Sequence, residues 1–498
     1  MAAKSASLGV GGGLDPADSK RSSPGVYDPN ACPRSLRALL SVDRDGRRTA
    51  PEVSYLLRRS RVPGKTDRKF RLARPSVSDQ AHERGVRRLV QRERLRTSFS
   101  ASSRRRSQDW GDRAAEIEAR RGLTMRVRML TPGFYPALGG AEKQALELSK
   151  ALAGDGVSIE VLTRRLPGLS ARETVEGIPV VRVAAPGTGL INALVFFTGA
   201  VWRLWRDADD YDVVHVHLGG SPALAACFAG ALTGRKVVAK IGGGRGIGEI
   251  AVSSRSFSGR LKLTLLRVFQ PRLVAVCEDL KAELVEHGFS ESSSVIPNGV
   301  DLEIYRPADP SEKARLRREF GWPEGTLFVY TGRFSPEKQL PRFARAFREA
   351  ARGLASPARL VMIGEGSEAE RIREAGGEAV LLEPSTDAVA ARVRAADVFV
   401  LPSVSEGLSN ALLEAMGSGL AICASAVGGT KEAVPDGEAG LLFDFDDDAA
   451  MGEAASRYLR EPSLAVRHGV AARRIAEARF AMRAVARRYR ELYEALGA

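Results

Sequence analysis

Apolar and polar positions alternate in a regular way from residue 125 onward. Short runs rich in valine, isoleucine and leucine are followed by longer segments in which apolar residues recur every three or four positions. The short runs are typical of buried strands and the longer segments of amphipathic helices, so their alternation predicts a doubly wound α/β fold. In the first half we predict strands near residues 126–130, 157–163, 178–184, 212–217, 236–240 and 273–277. In the second half we predict strands near residues 326–331, 359–363, 379–382, 397–401, 420–423 and 440–442.

Prolines mark the middle of this region. Pro297, Pro307 and Pro310 lie close together between the two sets of predicted strands. Because proline interrupts both helices and sheets, this cluster predicts a linker between two domains. We therefore place a first domain at residues 125–300 and a second domain at residues 301–475.

The excess of basic charge is concentrated in residues 1–124. The chain has 75 Lys and Arg against 60 Asp and Glu, and this segment holds 28 of the basic and 14 of the acidic side chains, a net charge of +14. The other residues hold 47 basic and 46 acidic side chains, a net charge of +1. The segment is rich in Arg, Ser, Gly and Pro and has no sustained apolar period, so we predict a disordered leader. Met125 directly precedes the first predicted strand, and a start of translation at Met125 is the alternative.

A basic leader of this kind is able to attract nucleic acid or anionic lipid through its charge. Residues 1–124 lack the interleaved aromatic residues that stack on bases and show no zinc or helix-turn-helix pattern, so we predict no specific nucleic-acid partner. They also lack the apolar core of a secretory signal. A binding protein that acts through the leader is one alternative function.

Cysteine spacing and hydropathy favour a cytoplasmic protein. Cys32, Cys227, Cys277 and Cys423 are far apart and predict neither a zinc site nor a redox dithiol. The longest uncharged stretch, residues 183–202, contains a proline and three glycines. It therefore predicts a strand end, a loop and a helix rather than a transmembrane segment.

Two glutamates stand on either side of a predicted helix start. Glu406 follows the apolar strand at residues 397–401, and Glu414 comes eight positions later. Ser409 and Asn410 are favourable N-cap residues, so we expect Glu406 in the loop after the strand and Glu414 about one turn into the helix. Ligands of open α/β sheets bind at this end of the strands. The free amides around Leu408, Ser409 and Asn410 favour an anion such as a diphosphate.

Two other loops follow predicted strands in the same half. The segment from Tyr330 to Lys338 contains Arg333 and Lys338, and Val427-Gly-Gly-Thr-Lys-Glu-Ala-Val434 is a glycine turn that opens another helix. Because the carboxyl ends of parallel strands meet at one edge of a sheet, we expect these loops to line one crevice together with the two glutamates.

The order of these segments resembles that of the retaining glycosyltransferases of family 4, which have the GT-B fold. The resemblance covers nearly all of residues 125–498. Five segments agree with the family's motifs: the strand and glycine loop from Met125 to Glu142, Asp212-Val-Val-His-Val-His217, Ile296-Pro-Asn-Gly-Val-Asp301, the segment with Arg333 and Lys338, and the segment with Glu406 and Glu414. The resemblance implies two Rossmann-like domains facing each other across a cleft, with a C-terminal helix at residues 476–498 that returns to the first domain.

The resemblance also implies functions for single residues. Glu406 would contact hydroxyls of the donor sugar, Glu414 would hold the ribose of the nucleotide, and His217 would contact the transferred sugar. The donor would be a nucleotide sugar, with UDP favoured over GDP. The acceptor would be a saccharide, a lipid-linked glycan or a small molecule, and the product would keep the anomeric configuration.

Glycosyl transfer needs stabilisation of the departing diphosphate, by a metal ion or by fixed cations and amides. Arg333 offers a planar fork for phosphate oxygens and Lys338 a compact charge, and the amides of Gly139 and Gly140 add neutral donors. The Asp-x-Asp strings at 207–209 and 444–446 lie away from the predicted ligand-facing strand ends. We therefore predict no required metal and no cofactor besides the donor substrate.

Other enzymes are compatible with a similar fold. A nucleotide-sugar epimerase and a phosphorylase are alternatives to a transferase. A nicotinamide enzyme is disfavoured, because its glycine fingerprint should follow the first strand, whereas the glycine-rich segment 242–248 follows the fifth.

Two segments bear on substrate choice. Many relatives have a Phe-x-Gly turn where residues 381–386 stand here, which leaves the nucleotide base open. The loop at residues 240–249, with Arg245, is expected on the acceptor side.

Residues 190–206 and 260–272 are apolar with flanking arginines, a pattern typical of peripheral membrane contact or of ordinary core helices.

Overall fold

The polypeptide forms two mainly parallel β-sheets, one from each half of the region that begins at residue 125. This computed structural model describes residues 125–136, 139–187, 189–291, 293–354 and 358–497, all within one compact unit. Residues 1–124, for which we predicted a disordered leader or, as the alternative, a start of translation at Met125, lie outside the described residues.

The first domain has an eight-stranded sheet in the order β3-β4-β2-β1-β5-β6-β7-β8. Only β3 runs antiparallel to its neighbour. Its strands are β1 Arg126–Leu130, β2 Ser158–Arg165, β3 Arg172–Val175, β4 Ile178–Ala184, β5 Val213–His217, β6 Lys236–Ile241, β7 Arg272–Ala275 and β8 Ser294–Val295. Its helices are α1 Gly140–Gly154, α2 Gly189–Arg206, α3 Ser221–Thr233, α4 Glu249–Ser254, α5 Phe257–Phe269 and α6 Glu278–Glu286.

The second domain has a six-stranded, fully parallel sheet in the order β11-β10-β9-β12-β13-β14. Its strands are β9 Thr326–Thr331, β10 Ala358–Ile363, β11 Val380–Glu383, β12 Val398–Leu401, β13 Ala421–Ser425 and β14 Gly440–Phe443. Its helices are α7 Pro310–Phe320, α8 Leu340–Ala350, α9 Ala369–Gly376, α10 Val389–Ala395, α11 Asn410–Gly417, α12 Gly428–Ala433 and α13 Asp448–Arg460.

The last two helices connect the domains. Helix α14, Pro462–Arg479, packs against α11 and β13, whereas α15, Met482–Ala495, packs against α1. Between them the chain pairs with the interdomain segment, because the Val300 amide donates to the Phe480 carbonyl (2.8 Å) and the Met482 amide donates to the Val300 carbonyl (3.0 Å).

The structure confirms the predicted doubly wound fold, and all twelve predicted strands are present within a few residues of their expected bounds. Two strands were missed for physical reasons. Strand β3 is a polar edge strand with mostly exposed side chains, and β8 has only two residues. Neither has the apolar run that reveals a buried strand.

The carboxyl ends of the two sheets approach each other closely. A Cβ added to Gly407, after β12, would lie 2.2 Å from the carbonyl oxygen of Gly242, after β6. A Cβ on Gly244 would lie 2.9 Å from the backbone nitrogen of Glu406. Only glycine permits these contacts, and they bring the predicted donor loop against the first domain.

Candidate active site between the two sheets

The side chain of Glu406 is held between two loops of the second domain. It lies in the loop after β12 and is 8% exposed. Its Oε1 atom accepts hydrogen bonds from Lys338 Nζ at 2.5 Å and from Ser403 Oγ at 2.6 Å. Ser409 ends the loop as the N-cap of α11, accepting from the Leu412 amide at 3.4 Å. The predicted convergence of Lys338 and Glu406 is therefore seen as a largely buried ion pair.

Arg333 lies in the same loop as Lys338 but does not join this ion pair. Its side chain is 77% exposed, and its guanidinium is 3.9 Å from the carboxylate of Glu337. Tyr330 stabilises the loop, because its hydroxyl donates a hydrogen bond to the Arg333 carbonyl at 2.9 Å. Arg333 is thus a cation at the mouth of the cleft, and Lys338 a cation inside it.

A glycine pair missed by the sequence analysis shapes the Arg333 loop. Gly364 and Gly366 follow β10 with φ of +152° and +155°. A Cβ on Gly364 would lie 1.9 Å from the Gly332 oxygen, and one on Gly366 would lie 2.2 Å from the Phe334 oxygen. A Gly-x-Gly after an apolar strand is the signal that could have revealed this close approach.

Glu414 takes part in a separate ion pair that crosses between the domains. Lys143 Nζ, from α1, lies 2.6 Å from Glu414 Oε1 and 2.7 Å from the hydroxyl of Tyr305. Burial alone would lower the pKa of Lys143, but the negative charge of Glu414 and the hydrogen bonds to Glu414 and Tyr305 outweigh it and raise the pKa. Burial and the negative charge of Glu414 raise the pKa of Tyr305. At neutral pH the lysine is therefore charged and the tyrosine is neutral. The sequence analysis found neither Lys143 nor Tyr305.

The start of α11 contacts the start of α1. Asn410 Nδ2 donates to the Gly140 carbonyl at 2.8 Å. Asn298 Nδ2 donates to the carbonyl of Leu408 and to Asn410 Oδ1, each at 2.8 Å. The structure therefore brings together the two predicted groups of amide donors, although the Gly139 amide already donates to the Glu142 carboxylate at 3.0 Å.

His217 lies at the carboxyl end of β5 and is buried. Its ring stacks on that of His215 with centroids 4.6 Å apart, and His215 Nδ1 is 2.6 Å from the hydroxyl of Tyr493. Burial, followed by the nearby positive charge of Lys240, lowers the pKa of His215 well below its usual value, and the same effects act on His217. Both rings are therefore neutral at pH 7. The Nε2 atoms of both are buried and have no hydrogen-bond partner.

Other predicted positions are occupied by local contacts. The guanidinium of Arg245 pairs with Glu286 and Asp279, so it is not free for an acceptor. In the turn that replaces Phe-x-Gly, Glu383 accepts from Trp322 Nε1 at 2.6 Å and from Arg392 Nε at 2.5 Å.

The described residues contain neither a metal-binding cluster nor a membrane-spanning helix. In the part of the chain that the structure describes, no group of three or more His, Cys, Asp or Glu side chains is placed to hold a metal ion. None of the helices within the described ranges combines the length and apolar character needed to cross a bilayer.

Comparisons with known proteins agree with this geometry. The family model described as Glycosyltransferase Family 4 matches residues 138–304, and that described as Glycosyl transferases group 1 matches residues 325–461. The chain is 31% identical over 370 residues to a D-inositol 3-phosphate glycosyltransferase of Acidothermus cellulolyticus, covering 67% of this chain and 80% of the relative. It is 30% identical over 381 residues to a 2-deoxystreptamine N-acetyl-D-glucosaminyltransferase of Streptomyces fradiae, covering 66% of this chain and 87% of the relative.

The chain is also similar to a more distant relative and to two solved structures. The chain is 25% identical to a phosphatidyl-myo-inositol mannosyltransferase of Mycolicibacterium smegmatis, covering 68% of this chain and 86% of the relative. Its fold matches that of Anabaena HepE in complex with UDP and glucose, with a TM-score of 0.62, 18% identity and coverage of 74% of this chain and 100% of HepE. It also matches sucrose-phosphate synthase from Thermosynechococcus elongatus, with a TM-score of 0.61, 21% identity and coverage of 75% of this chain and 99% of that one.

Proposed function

Since the chain belongs to the group 1 and family 4 glycosyltransferases and has their GT-B fold, we propose that it moves a hexose from a nucleoside diphosphate sugar to an acceptor hydroxyl, with retention of configuration and without a required metal ion. The glycosyltransferase activity follows from the family. The donor, the stereochemistry, the metal independence and the acceptor are the proposal.

The observation that best supports this chemistry is the buried pair of Lys338 and Glu406. Lys338 offers a fixed positive charge where a diphosphate would leave, and Arg333 adds a second cation at the cleft mouth. The amides around Ser409 lie at the start of α11, where a helix favours an anion. Protein cations and amides would then perform the charge stabilisation that a metal ion performs in other transferases.

The reaction we propose proceeds on one face of the sugar. The bond between the anomeric carbon and the diphosphate oxygen breaks, and its electron pair leaves with the diphosphate. The acceptor hydroxyl forms the new bond on the same face and gives its proton to the departing phosphate oxygen. Glu406 would hold donor hydroxyls and steady the positive charge on the ring, because a carboxylate has about four acceptor sites, more than the two that Lys338 and Ser403 use. His217 would bind a hydroxyl of the transferred sugar through its unpartnered Nε2 atom.

Glu414 would hold the ribose of the nucleotide. Its carboxylate is 8% exposed at the cleft and is already oriented by Lys143 of the opposite domain. We favour UDP over GDP as the nucleotide, which agrees with the UDP bound by HepE.

The acceptor is a saccharide, a lipid-linked glycan or a small polyol. The names of the relatives include an acceptor that carries a phosphate, inositol 3-phosphate, and one that carries amines, 2-deoxystreptamine. Related chains thus use acceptors of opposite charge, and the acceptor of this chain depends on its own first domain.

We also propose a peripheral membrane contact through the first domain. Helix α2 exposes Leu190, Leu194, Trp202 and Trp205, with exposures between 53% and 89%. Helix α2 packs on α3, and α3 packs on α5, which exposes Phe257 and other apolar residues. An apolar surface with arginines on its margin fits an anionic bilayer surface.

The central test measures transfer by mass spectrometry and NMR. UDP-glucose, UDP-N-acetylglucosamine and GDP-mannose are each incubated with D-inositol 3-phosphate or 2-deoxystreptamine in the presence of EDTA. A product heavier by one glycosyl unit, with the donor's anomeric configuration, is expected. Glu406→Ala should abolish it, whereas Glu370→Ala, whose side chain is exposed and pairs with Arg373, should not.

Three outcomes would contradict parts of this proposal. Conversion of the donor without an acceptor would indicate an epimerase, and a requirement for free phosphate would indicate a phosphorylase. Loss of activity in EDTA with recovery in Mn²⁺ would show that a metal ion is needed.

A further inference from the structure

One cation of the first domain is buried at the cleft end of its sheet without a counter-charge. Lys240 lies near the carboxyl end of β6, directly paired in register with His217 of β5. Two residues later, Gly242 contacts Gly407 of the donor loop. Lys240 therefore stands in the first domain close to the place where the two sheets meet.

The surroundings of Lys240 contain no acid. Lys240 is 5% exposed. Within the described ranges its ammonium forms no hydrogen bond or ion pair. The ammonium lies 5.8 Å from the centroid of the Tyr489 ring of α15, and its charge acts on His215 and His217 of β5. Tyr493 of α15 lies behind this group and contacts His215. Burial lowers the pKa of Lys240 to about 7.

Three neighbouring polar atoms also lack partners. Among the residues that the structure describes, the Nε2 atoms of His215 and His217 and the hydroxyl of Tyr489 are buried and have no hydrogen-bond partner. A buried polar group without a partner costs stability, and a buried charge costs more. A methionine would fill the same space at lower cost, so the lysine in this position indicates that its ammonium binds a ligand.

We infer that Lys240 binds an anionic group of the acceptor and so selects acceptors that carry a phosphate or a carboxylate. This rests on the proposed transferase function. The donor diphosphate already has Lys338, Arg333 and the amides of α11 in the second domain, whereas Lys240 belongs to the first domain and is not needed for it. A bound anion supplies the missing counter-charge and accepts hydrogen bonds from the ammonium.

The test compares Lys240→Met with wild type by isothermal titration calorimetry in saturating UDP. The probes are inorganic phosphate, D-glucuronate and the neutral control myo-inositol. We expect phosphate or glucuronate to bind wild type and to bind Lys240→Met at least about tenfold more weakly. Lys236→Met is the matched control, because Lys236 starts the same strand at the opposite, exposed end.

Proton linkage separates a binding role from a packing role. In wild type at pH 8, anion binding should take up a proton, so the measured binding enthalpy should depend on the ionisation enthalpy of the buffer. The affinity for the anion should fall as the pH rises above 7. Lys240→Met should show neither effect, and Lys240→Arg should retain anion binding.

The two proposals fail in different ways. If neither UDP nor GDP binds wild type, the proposed function fails. Two results would refute the role of Lys240 when UDP binds wild type and Lys240→Met equally. In the first, neither anion binds wild type. In the second, wild type and Lys240→Met bind the anion with equal affinity. Preference for phosphate over glucuronate would identify the source of the charge as a phosphorylated acceptor, and the reverse preference would identify an acidic sugar.

Discussion

Lys143 of the first domain and Glu414 of the second form a 2.6 Å ion pair across the cleft, although 271 positions separate them in the sequence. The carboxylate that we assign to the ribose is thus oriented by a cation of the opposite domain. If Glu414 holds the ribose as we propose, we expect nucleotide binding and the approach of the two domains to be coupled through this one side chain.

Replacing Lys143 by methionine should weaken UDP binding. The change removes the cross-domain charge while keeping the volume of the side chain, so Glu414 loses its orientation and the cleft opens more easily. We expect a loss of about 1–2 kcal/mol, roughly 5- to 30-fold in Kd, by calorimetry. Lys150→Met is the control, because Lys150 lies on the same helix as Lys143 but pairs with Glu147 of that helix and with Glu176 of the turn between β3 and β4. Unchanged UDP affinity in Lys143→Met would refute the coupling.

Substitutions in the Lys338–Glu406 pair should affect the free energy of unfolding and the turnover in different ways. Lys338→Met alone leaves a largely buried carboxylate without its partner, and we expect a destabilisation on the order of 2 kcal/mol, since both side chains keep some solvent contact. The double variant Lys338→Met/Glu406→Gln removes both charges and should recover most of this stability. Turnover should remain at least about 100-fold below wild type in both variants. Recovery of turnover in the double variant would show that the pair is structural only.

Lys240 should make stability depend on pH in a predictable direction. Its pKa is about 7 in the folded protein and about 10.4 in an unfolded chain, so between these values the unfolded state binds more protons. The stability of wild type relative to Lys240→Met should therefore rise from pH 7 to pH 10, by at most about 4 kcal/mol. Thermal unfolding of both proteins across this range provides the measurement. Parallel curves would show that Lys240 is not buried as described.

Gly407→Ala should disturb the interface between the domains. The added methyl group would lie 2.2 Å from the Gly242 carbonyl oxygen of the first domain, so the loop or the whole domain must move. We expect a fall in kcat/KM of at least about tenfold, because misplacement of catalytic groups by about 1 Å is costly. Gly452→Ala is the control, because the nearest atom to its added Cβ is 4.0 Å away. Equal activities would show that the close approach is dispensable.

Trp202→Gln combined with Trp205→Gln should weaken binding to membranes. Both rings are about half exposed on α2, and aromatic side chains favour the bilayer interface. Co-sedimentation with vesicles of anionic phospholipid should fall several-fold, while transfer to a water-soluble acceptor should not change. Equal sedimentation of variant and wild type would exclude α2 as the contact.

The parts of the fold that local patterns determine were predicted from the sequence. Strands such as β12 are continuous apolar runs, and their carboxyl ends must meet at one edge of a parallel sheet, which is why Lys338 and Glu406 were expected together. The partners of Glu414 could not be predicted in the same way. Lys143 and Tyr305 reach Glu414 only because the domains face each other, and no local periodicity encodes that orientation.

We expected Lys240 at the start of the acceptor-side loop 240–249, but its burial was not predicted. It stands within an otherwise apolar strand, where a single lysine near the end is usually taken for the start of a solvated loop. Its burial depends on α15, which arrives from the far end of the chain with Tyr489 and Tyr493.

The return of α15 to the first domain has a consequence for biosynthesis. The apolar core beneath β1 and β5 includes Met482, Val485, Tyr489 and Tyr493. The amino-terminal half of the enzyme therefore cannot complete its packing on the ribosome until residues 482–495 have emerged. A nascent chain that stalls before that point exposes the face of the sheet that α15 covers, and it is a natural client for chaperones.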